Sequence, residues 1–390
     1  MKITHIHIER FRGFQNEDFE VGSLLTAIAG QNGTQKSTLL GIITQTFTLK
    51  TEDSMRVEKP LCGGSYISAF KDKFRLSPTF DKPKGHEWTI SFDAGMDDFT
   101  VESIKRTGDP NVRFWKKGAR QEGDGYISFP TIFLSLKRLV PVAEEAKIIT
   151  DDTLLTQEEL NEFKQLHNKI LIAQTPISSA TTITSKNKQS IGVSTELYDW
   201  NQNSMGQDNL GKIILALFSF KRLHDKYPRQ YKGGILVIDE MDATMYPASQ
   251  VELLKVLRKY ASKLNLQILF TTHSMSLLKA MDDLVQEVTK KEETANQAKI
   301  LYLKKVDDKI AIKQGVNFKG IQLDLNVVAE GNNRKKNRIT AYTEDKENIL
   351  FVKAILKSKA FVLDFVDVTL PCSTLMELVT KRVPAFIYPY

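Results

Sequence analysis

"AGQNGTQKST" occupies residues 29–38 and nearly matches the phosphate-binding loop pattern G-x-x-x-x-G-K-[ST]. Gly30, Lys36 and Ser37 are in register with that pattern, and Gln35 stands where the second glycine belongs. The apolar residues before the loop predict a strand, and "STLLGIITQTF" after it has the apolar spacing of a helix. A strand, a glycine-bearing loop and a helix in this order are the context that a working phosphate-binding loop requires.

The loop predicts a nucleotide site that binds ATP and Mg²⁺. Its backbone N–H groups and the following helix N-terminus would cradle phosphate oxygens. Lys36 would reach the β and γ phosphates, and the Ser37 hydroxyl would ligate Mg²⁺. The predicted ATP-binding residues are Gly30, Asn32, Gly33, Thr34, Gln35, Lys36, Ser37 and Thr38.

Two later segments supply other parts of such a site. The apolar run 235–238 predicts a buried strand that ends in Asp239 and Glu240. The first carboxylate can hold Mg²⁺, and the second can polarise the attacking water. The next predicted strand ends at Thr272 and His273, which places an imidazole at the same sheet edge. Singly, an acidic strand end is often only a cap and a lone histidine is more often structural, but their order favours a catalytic interpretation.

The wider pattern predicts an α/β fold. From about residue 204 buried strands alternate with amphipathic helices, which indicates a mostly parallel sheet covered on both faces. Residues 60–135 contain short β-like runs broken by Pro and Gly, and a capping box at Thr156 and Glu159 predicts the start of a helix. The polar stretch 178–190 predicts a flexible loop.

Composition favours a cytoplasmic protein with a polyanionic partner. The 390 residues contain no apolar run long enough for a membrane span, and the two cysteines form neither a disulfide framework nor a zinc pattern. The formal net charge is +7. Basic residues interleave with Phe114 and Trp115 in one stretch, and a second basic cluster lies at 334–338. This suits nucleic-acid contact through Arg113, Lys116 and Lys117, although a solvated hairpin with one buried aromatic pair explains the same pattern.

Together these motifs resemble the ATP-binding-cassette (ABC) ATPases, in the branch with the recombination-repair and chromosome-maintenance ATPases. The resemblance covers roughly 1–60 and 195–280, includes "FRGF" at 11–14, and leaves 60–195 as a variable arm. It implies an ABC-type P-loop ATPase head with β-rich and helical insertions. It also implies a homodimer or larger homo-oligomer with ATP between two heads, in which an S-x-G-[GQE] signature contacts the partner's nucleotide. The residues carried over to that contact are Ser204, Gly206, Gln207 and Asp242.

Gln35 is the departure from the loop pattern. Where glycine supplies a positive φ or a close backbone approach, glutamine costs about 1–2 kcal/mol. Because Gly30, Gly33, Lys36 and Ser37 remain, we expect a working loop with slow turnover, and a purely ATP-binding switch as the alternative.

The C-terminal residues resemble the opening of a Toprim domain, with Glu344 at the place of a metal-binding glutamate. Toprim also uses a later D-x-D pair, which does not follow Glu344 in this sequence. An ordinary βα unit with a solvated acidic turn is the alternative. The expected organisation is an ATPase head at 1–295, a strand pair and basic linker at 296–337, and a partial Toprim-like domain at 338–390.

An ABC-type ATPase joined to Toprim resembles the overcoming-lysogenisation-defect (OLD) family of bacterial nucleases, which implies control of DNA cleavage in antiphage defence. Defence partners such as a nuclease subunit or a retron RNA and reverse transcriptase are implied by the same resemblance. Two alternatives remain: an ATPase that regulates a separate nuclease, as Septu-type ATPases do, and a non-hydrolysing nucleotide-gated repair scaffold.

Overall fold

The computed structural model describes residues 1–66, 73, 75–93, 95–105, 112–118, 125–139, 148–152, 154–185, 189–329, 339–366 and 371–380. The chain forms two compact units, Met1–Gln322 and Leu323–Tyr390. The strands of the first unit are β1 (Ile3–Phe11), β2 (Phe14–Glu20), β3 (Leu25–Gly30), β4 (Phe47–Thr48), β5 (Glu87–Phe92), β6 (Phe99–Lys105), β7 (Val112–Lys116), β8 (Ile127–Ser128), β9 (Thr131–Leu134), β10 (Ile149–Asp152), β11 (Ser179–Thr184), β12 (Gln189–Ser194), β13 (Gly234–Ile238), β14 (Leu266–Thr271), β15 (Ala298–Val306) and β16 (Lys309–Gln314). Its helices are α1 (Lys36–Thr44), α2 (Gln157–Leu171), α3 (Met205–Lys226), α4 (Pro247–Lys263) and α5 (Met275–Val288), and α6 (Phe318–Ala329) crosses the boundary.

A six-stranded sheet forms the centre of the first unit, in the order β16-β15-β3-β14-β13-β9. All neighbours pair in parallel except β16, which is antiparallel to β15. Every residue of β3, β13 and β14 is buried, so these strands are continuous apolar runs instead of alternating ones. The mixed α/β fold predicted from the sequence is therefore confirmed, and the carboxyl ends of the three central strands meet at one edge.

A second, antiparallel sheet has the order β2-β1-β5-β6-β7. Residues alternate between a buried and a solvent face, and the buried face carries Ile6, Ile8, Trp88 and Phe114. The N-terminal strands thus pair with the β-rich region that the sequence predicted after residue 60.

The predicted capping box at Thr156 is confirmed. The Thr156 hydroxyl accepts from the Glu159 N–H at 3.3 Å, and the Glu159 carboxylate accepts from the Thr156 N–H at 2.9 Å. These bonds satisfy backbone donors at the start of α2 that would otherwise be unpaired.

The prediction of a flexible loop at 178–190 is wrong for residues 178–185 and 189–190, and residues 186–188 lie outside the described part of the chain. This stretch forms most of the antiparallel pair β11 and β12, whose Ile183 and Ile191 are buried. The reason is that β-branched residues favour strands even in a polar sequence. The neighbouring β12 also packs closely on α3, where a Cβ at Gly211 would lie 2.7 Å from the Ile191 carbonyl oxygen.

The strand pair expected after residue 295 is β15 and β16, and β15 pairs with β3 in the central sheet. The compact unit extends to Gln322. The basic linker at 331–338 lies outside the described residues.

The second unit contains β17 (Ile339–Ala341), α7 (Lys346–Leu356), β18 (Leu363–Phe365) and α8 (Cys372–Thr380). β17 and β18 pair in parallel, so this segment is a β-α-β unit. Over the described part of the chain, none of the helices is both long and apolar enough to cross a membrane.

We expect Thr156→Ala to lower the free energy of unfolding by about 1 kcal/mol, because the start of α2 loses its cap. Denaturant titration of both proteins measures the difference. Gln157→Ala keeps the cap and serves as the control; an equal loss in both variants would contradict the assignment.

A candidate nucleotide-binding site

The phosphate-binding loop, residues 30–37, connects β3 to α1 in a backbone conformation that glycine favours. Gly30 has φ 151° and Gly33 has φ 80°. A Cβ at Gly30 would lie 2.4 Å from the Leu303 carbonyl oxygen, so this position excludes any side chain. Gln35 has φ 62° and ψ 32°, the left-handed conformation in which the loop pattern places its second glycine.

The Gln35 side chain turns toward the β1–β2 hairpin. A Cβ at Gly13 would lie 2.8 Å from Gln35 Nε2, so the two residues are closely packed. Gln35 Oε1 is buried and has no hydrogen-bond partner among the described residues. Gln35 also makes no side-chain cap bond to α1. The first-turn N–H groups of α1 therefore donate to no side-chain atom of Gln35, and the Leu39 N–H donates to the Gln35 backbone carbonyl at 3.0 Å.

Lys36 is almost completely buried, and its ammonium lies within the loop. Nζ donates to the carbonyl oxygens of Gly30 and Gln31, each at 2.9 Å. Burial lowers the pKa of Lys36 from its ordinary value, and the carboxylates of Glu240, Asp239 and Asp242 oppose that shift. The lysine therefore faces the acidic strand end, Asp239 and Glu240, that follows β13.

The loop and the acidic strand end are in direct contact. Ser37 Oγ donates to Asp239 Oδ1 at 3.0 Å, and Thr271 Oγ1 donates to the same oxygen at 2.7 Å. Asp239 is buried, with 5% of its surface exposed. A hydroxyl and a carboxylate held together are oxygen ligands of the kind that Mg²⁺ takes beside phosphate, so this pair fits the cation that the sequence predicted.

Glu240 has an unusual backbone conformation, φ 50°, and both of its backbone polar groups are fixed. Its N–H donates to Thr271 Oγ1 at 2.6 Å, and its carbonyl oxygen accepts from Arg138 Nη2 at 2.8 Å. The Glu240 side chain is only partly covered, so it is accessible from the sheet edge.

His273 and Asp242 complete this edge of the sheet. The backbone N–H of His273 donates to Asp242 Oδ1 at 3.3 Å. Desolvation and the charge of Lys36 lower the pKa of His273, while Asp242, Glu240 and Asp239 oppose the shift. Asn32 and Gly33 are exposed at the loop tip, Thr34 Oγ1 donates to the Gln31 carbonyl at 2.8 Å, and Thr38 lies in the first turn of α1.

The signature segment, residues 204–207, forms the N-terminus of α3. Ser204 and Gln207 make a capping box, with the Gln207 N–H at 3.3 Å from Ser204 Oγ. Gly206 is buried, and a Cβ there would lie 2.6 Å from the Thr244 carbonyl oxygen. The segment therefore packs on the loop that follows the acidic strand end, and Ser204 itself is exposed.

The described part of the basic and aromatic stretch lies at the end of β6 and on β7, which pair antiparallel. Phe114 is buried against Phe11 and Trp88, while the Arg113 guanidinium lies 4.4 Å from the centre of the half-buried Trp115 ring. Lys116 Nζ lies 5.3 Å from the Phe99 ring centre, and Lys117 Nζ pairs with Glu87 at 2.5 Å. One aromatic residue thus belongs to the core, and the basic residues remain accessible.

In the second unit, Glu344 is exposed in the turn after β17, and Asp345 caps α7 by accepting from the Asn348 N–H at 2.8 Å. Among the described residues, no group of three or more His, Cys, Asp or Glu side chains is arranged to hold a metal ion.

Sequence reasoning missed Arg138, Asn209 and Thr271, which fix the acidic strand end. Thr271 ends β14, next to Thr272, and Arg138 follows β9, the strand beside β13. The available signal was that polar residues at the ends of neighbouring parallel strands meet at one edge.

We expect Gln35→Gly to raise the free energy of unfolding by about 1 kcal/mol, because it relieves a left-handed backbone and removes an unpaired buried oxygen. Thr38→Gly, in the right-handed first turn of α1, should lower it by a similar amount. Thermal unfolding monitored by circular dichroism measures both. If Gln35→Gly lowered the free energy of unfolding as much as Thr38→Gly does, the contact between Gln35 and Gly13 would outweigh the backbone strain.

Solved structures resemble the chain at low sequence identity. The SMC head domain from Thermotoga maritima is 14% identical, with a TM-score of 0.45, over 81% of this chain and 100% of that one. An Smc head domain with an extended coiled coil bound to the C-terminal domain of ScpA, from Pyrococcus furiosus, is 12% identical, with a TM-score of 0.46, over 84% and 99%. The recombination mediator protein RecF-ATPrS of the RecFOR pathway is 12% identical, with a TM-score of 0.41, over 80% and 98%.

No curated protein sequence gives a significant match. The family model of the AAA ATPase domain matches residues 1–189 and 135–278, which include the phosphate-binding loop, the acidic strand end and His273. Since these two segments together span well over half of its length, the chain belongs to the AAA ATPase domain family.

Proposed function

We propose that this protein binds and hydrolyses ATP with Mg²⁺, and that two copies close around the nucleotide. One observation carries the proposal. Ser37 Oγ of the phosphate-binding loop lies 3.0 Å from Asp239 Oδ1, although 202 positions separate the two residues in the sequence. The phosphate cradle and the acidic strand end are thereby parts of one site.

Each residue has a defined task in this reaction. Lys36 and the N–H groups of the first turn of α1 bind phosphate oxygens. Ser37 and Asp239 would hold Mg²⁺, and the cation would neutralise charge on the β and γ phosphates. Glu240 accepts a proton from the attacking water, and His273 contacts the γ phosphate. Desolvation and the charge of Lys36 lower the pKa of His273, which favours the neutral ring, and a neutral imidazole can donate one hydrogen bond and accept another.

The second copy would contribute its signature segment. Ser204 is exposed at the N-terminus of α3, and the first N–H groups of the helix, before the capped Gln207 N–H, suit a phosphate. Exposed apolar side chains lie on either side of it in the sequence, with Leu197 81% and Met205 41% exposed. Large apolar side chains exposed near the signature segment in the sequence support its burial by another protein surface. The resemblance to ABC ATPases supports a second copy of this chain as that surface.

Closure around ATP would control DNA cleavage or DNA handling in bacterial antiphage defence, as in OLD-like nucleases. The accessible basic side chains of Arg113, Lys116 and Lys117 support contact with the DNA backbone. Glu344 would bind the metal ion of an intrinsic nuclease. If it does not, the ATPase instead regulates a separate nuclease subunit.

Glu240→Gln should slow ATP turnover by about 10²-fold or more while leaving ATP binding intact, because the amide cannot accept the proton. The variant should accumulate as an ATP-bound dimer, measured by light scattering coupled to gel filtration. Lys36→Ala, which cannot bind the phosphates, is the matched control and should stay monomeric with ATP. Wild-type turnover in Glu240→Gln would refute the role of this residue, and a monomeric ATP complex would refute the shared site.

For the nuclease, we expect Mg²⁺-dependent cleavage of supercoiled DNA by the wild type and loss of cleavage in Glu344→Ala. The exposed neighbour Glu347→Ala should cleave normally and is the control. Equal cleavage by all three proteins would exclude Glu344, and no cleavage by the wild type would favour a separate nuclease subunit.

A further inference from the structure

Arg138 is a buried guanidinium that the proposed mechanism does not use. It lies in the 3₁₀ turn Leu136–Leu139 after β9, and only 2% of its surface is exposed. Nη2 donates to the Glu240 carbonyl at 2.8 Å, and Nη1 donates to the carbonyls of Leu134 and Ser135 at 3.3 and 3.1 Å. The guanidinium therefore connects the end of β9 to the backbone of the proposed catalytic glutamate.

The third nitrogen of the Arg138 guanidinium, Nε, reaches the helix that carries the signature segment. Nε donates to Asn209 Oδ1 at 2.7 Å, and Asn209, on α3, is completely buried. The amide nitrogen of Asn209 then donates to the Ala243 carbonyl at 3.0 Å and approaches Thr244 Oγ1 at 3.4 Å. Asn209 thus holds the arginine with one end of its amide and the loop after Glu240 with the other.

This arrangement is costly, which indicates a function beyond filling space. Within the described residues, every hydrogen bond that Arg138 donates goes to a neutral oxygen. In that part of the chain, carboxylates act on its charge through the electric field and not through a direct ion pair. A buried charge held only by neutral groups usually lowers stability relative to an apolar side chain of similar volume. In exchange, the planar fork fixes several backbone oxygens in one geometry, which lysine could not do.

We propose that Arg138 and Asn209 form a coupling link between the two half-sites of each chain. One end of the link positions Glu240, which acts on the ATP held by the same chain. The other end lies five positions after Ser204, which in the proposed dimer faces the ATP held by the partner. Closure of the partner's ATP on Ser204 therefore shifts Glu240 through Asn209 and Arg138, and the two ATP molecules of the dimer are hydrolysed cooperatively. Both residues are positioning residues, since neither touches the nucleotide.

Asn209→Asp breaks the link at one point. The carboxylate still accepts from Arg138 Nε, but it cannot donate to the Ala243 carbonyl. We expect ATP affinity within about twofold of the wild type, kcat lower by about tenfold, and a Hill coefficient that falls from about two toward one. Thr244→Ala removes only the weaker, more exposed contact and should reduce the Hill coefficient by a smaller amount.

Ser219→Ala is the matched control, because Ser219 is another buried polar residue of α3. Its hydroxyl binds the Leu61 N–H at 2.8 Å and the Leu215 carbonyl at 2.6 Å, away from the loop after Glu240. This variant should lose stability and keep the wild-type Hill coefficient. A similar loss of cooperativity in Ser219→Ala would show that the effect is only structural and would overturn the link.

The link rests on the proposed function, and its failure is separable from that of the function. The ATPase itself would be refuted if the wild type showed no ATP turnover, or if Lys36→Ala left that turnover unchanged. Normal turnover with an unchanged Hill coefficient in Asn209→Asp would refute only the link. If Asn209→Asp does not fold, an unchanged Hill coefficient in the folded Thr244→Ala variant overturns the proposal equally.

Discussion

The hydrogen bond between Ser37 and Asp239 depends on the order of three buried strands. β3 delivers the phosphate-binding loop, β13 delivers the acidic strand end, and β14 lies between them and supplies Thr271. Parallel pairing places all three carboxyl ends at one edge of the sheet. Because the strands are continuous apolar runs, both of their faces are buried. A change of strand order would separate Ser37 from Asp239 even if every loop residue were retained.

The site keeps two residues in strained conformations, and the reasons differ. Glu240 is left-handed because Thr271 holds its N–H and Arg138 holds its carbonyl, so the surrounding structure determines its geometry. Gln35 is left-handed because the loop must turn sharply into α1, and its buried Oε1 has no hydrogen-bond partner in the described part of the chain. The strain at Glu240 therefore serves positioning, whereas the strain at Gln35 follows from the sequence departure itself.

Much of the fold could be predicted because its signals are local. Apolar runs located β3, β13 and β14, and the Thr156 capping box located the start of α2. The loop predicted at 178–190 failed because its strands are stabilised by α3, which packs on them from outside the segment. Arg138 and Asn209 were missed for a related reason. Their partners are backbone carbonyls about 35 to 100 positions away, and because every residue has a carbonyl, the sequence does not indicate which one is bonded. Motifs report side-chain chemistry, while positioning depends on contacts that only the fold creates.

In the proposed reaction, the charges at the site favour binding of nucleotide and cation together. Three carboxylates, Asp239, Glu240 and Asp242, face two cations, Lys36 and Arg138, which leaves one excess negative charge when His273 is neutral. A triphosphate adds roughly four negative charges at neutral pH, and like charges a few ångströms apart repel strongly in a partly dry site. Lys36 already shares its ammonium between two loop carbonyls and the field of these carboxylates, so it cannot offset that charge alone. The Ser37–Asp239 pair is the place at this edge where a divalent cation can contact both the protein and the phosphates, and this makes the acidic strand end compatible with an anionic substrate.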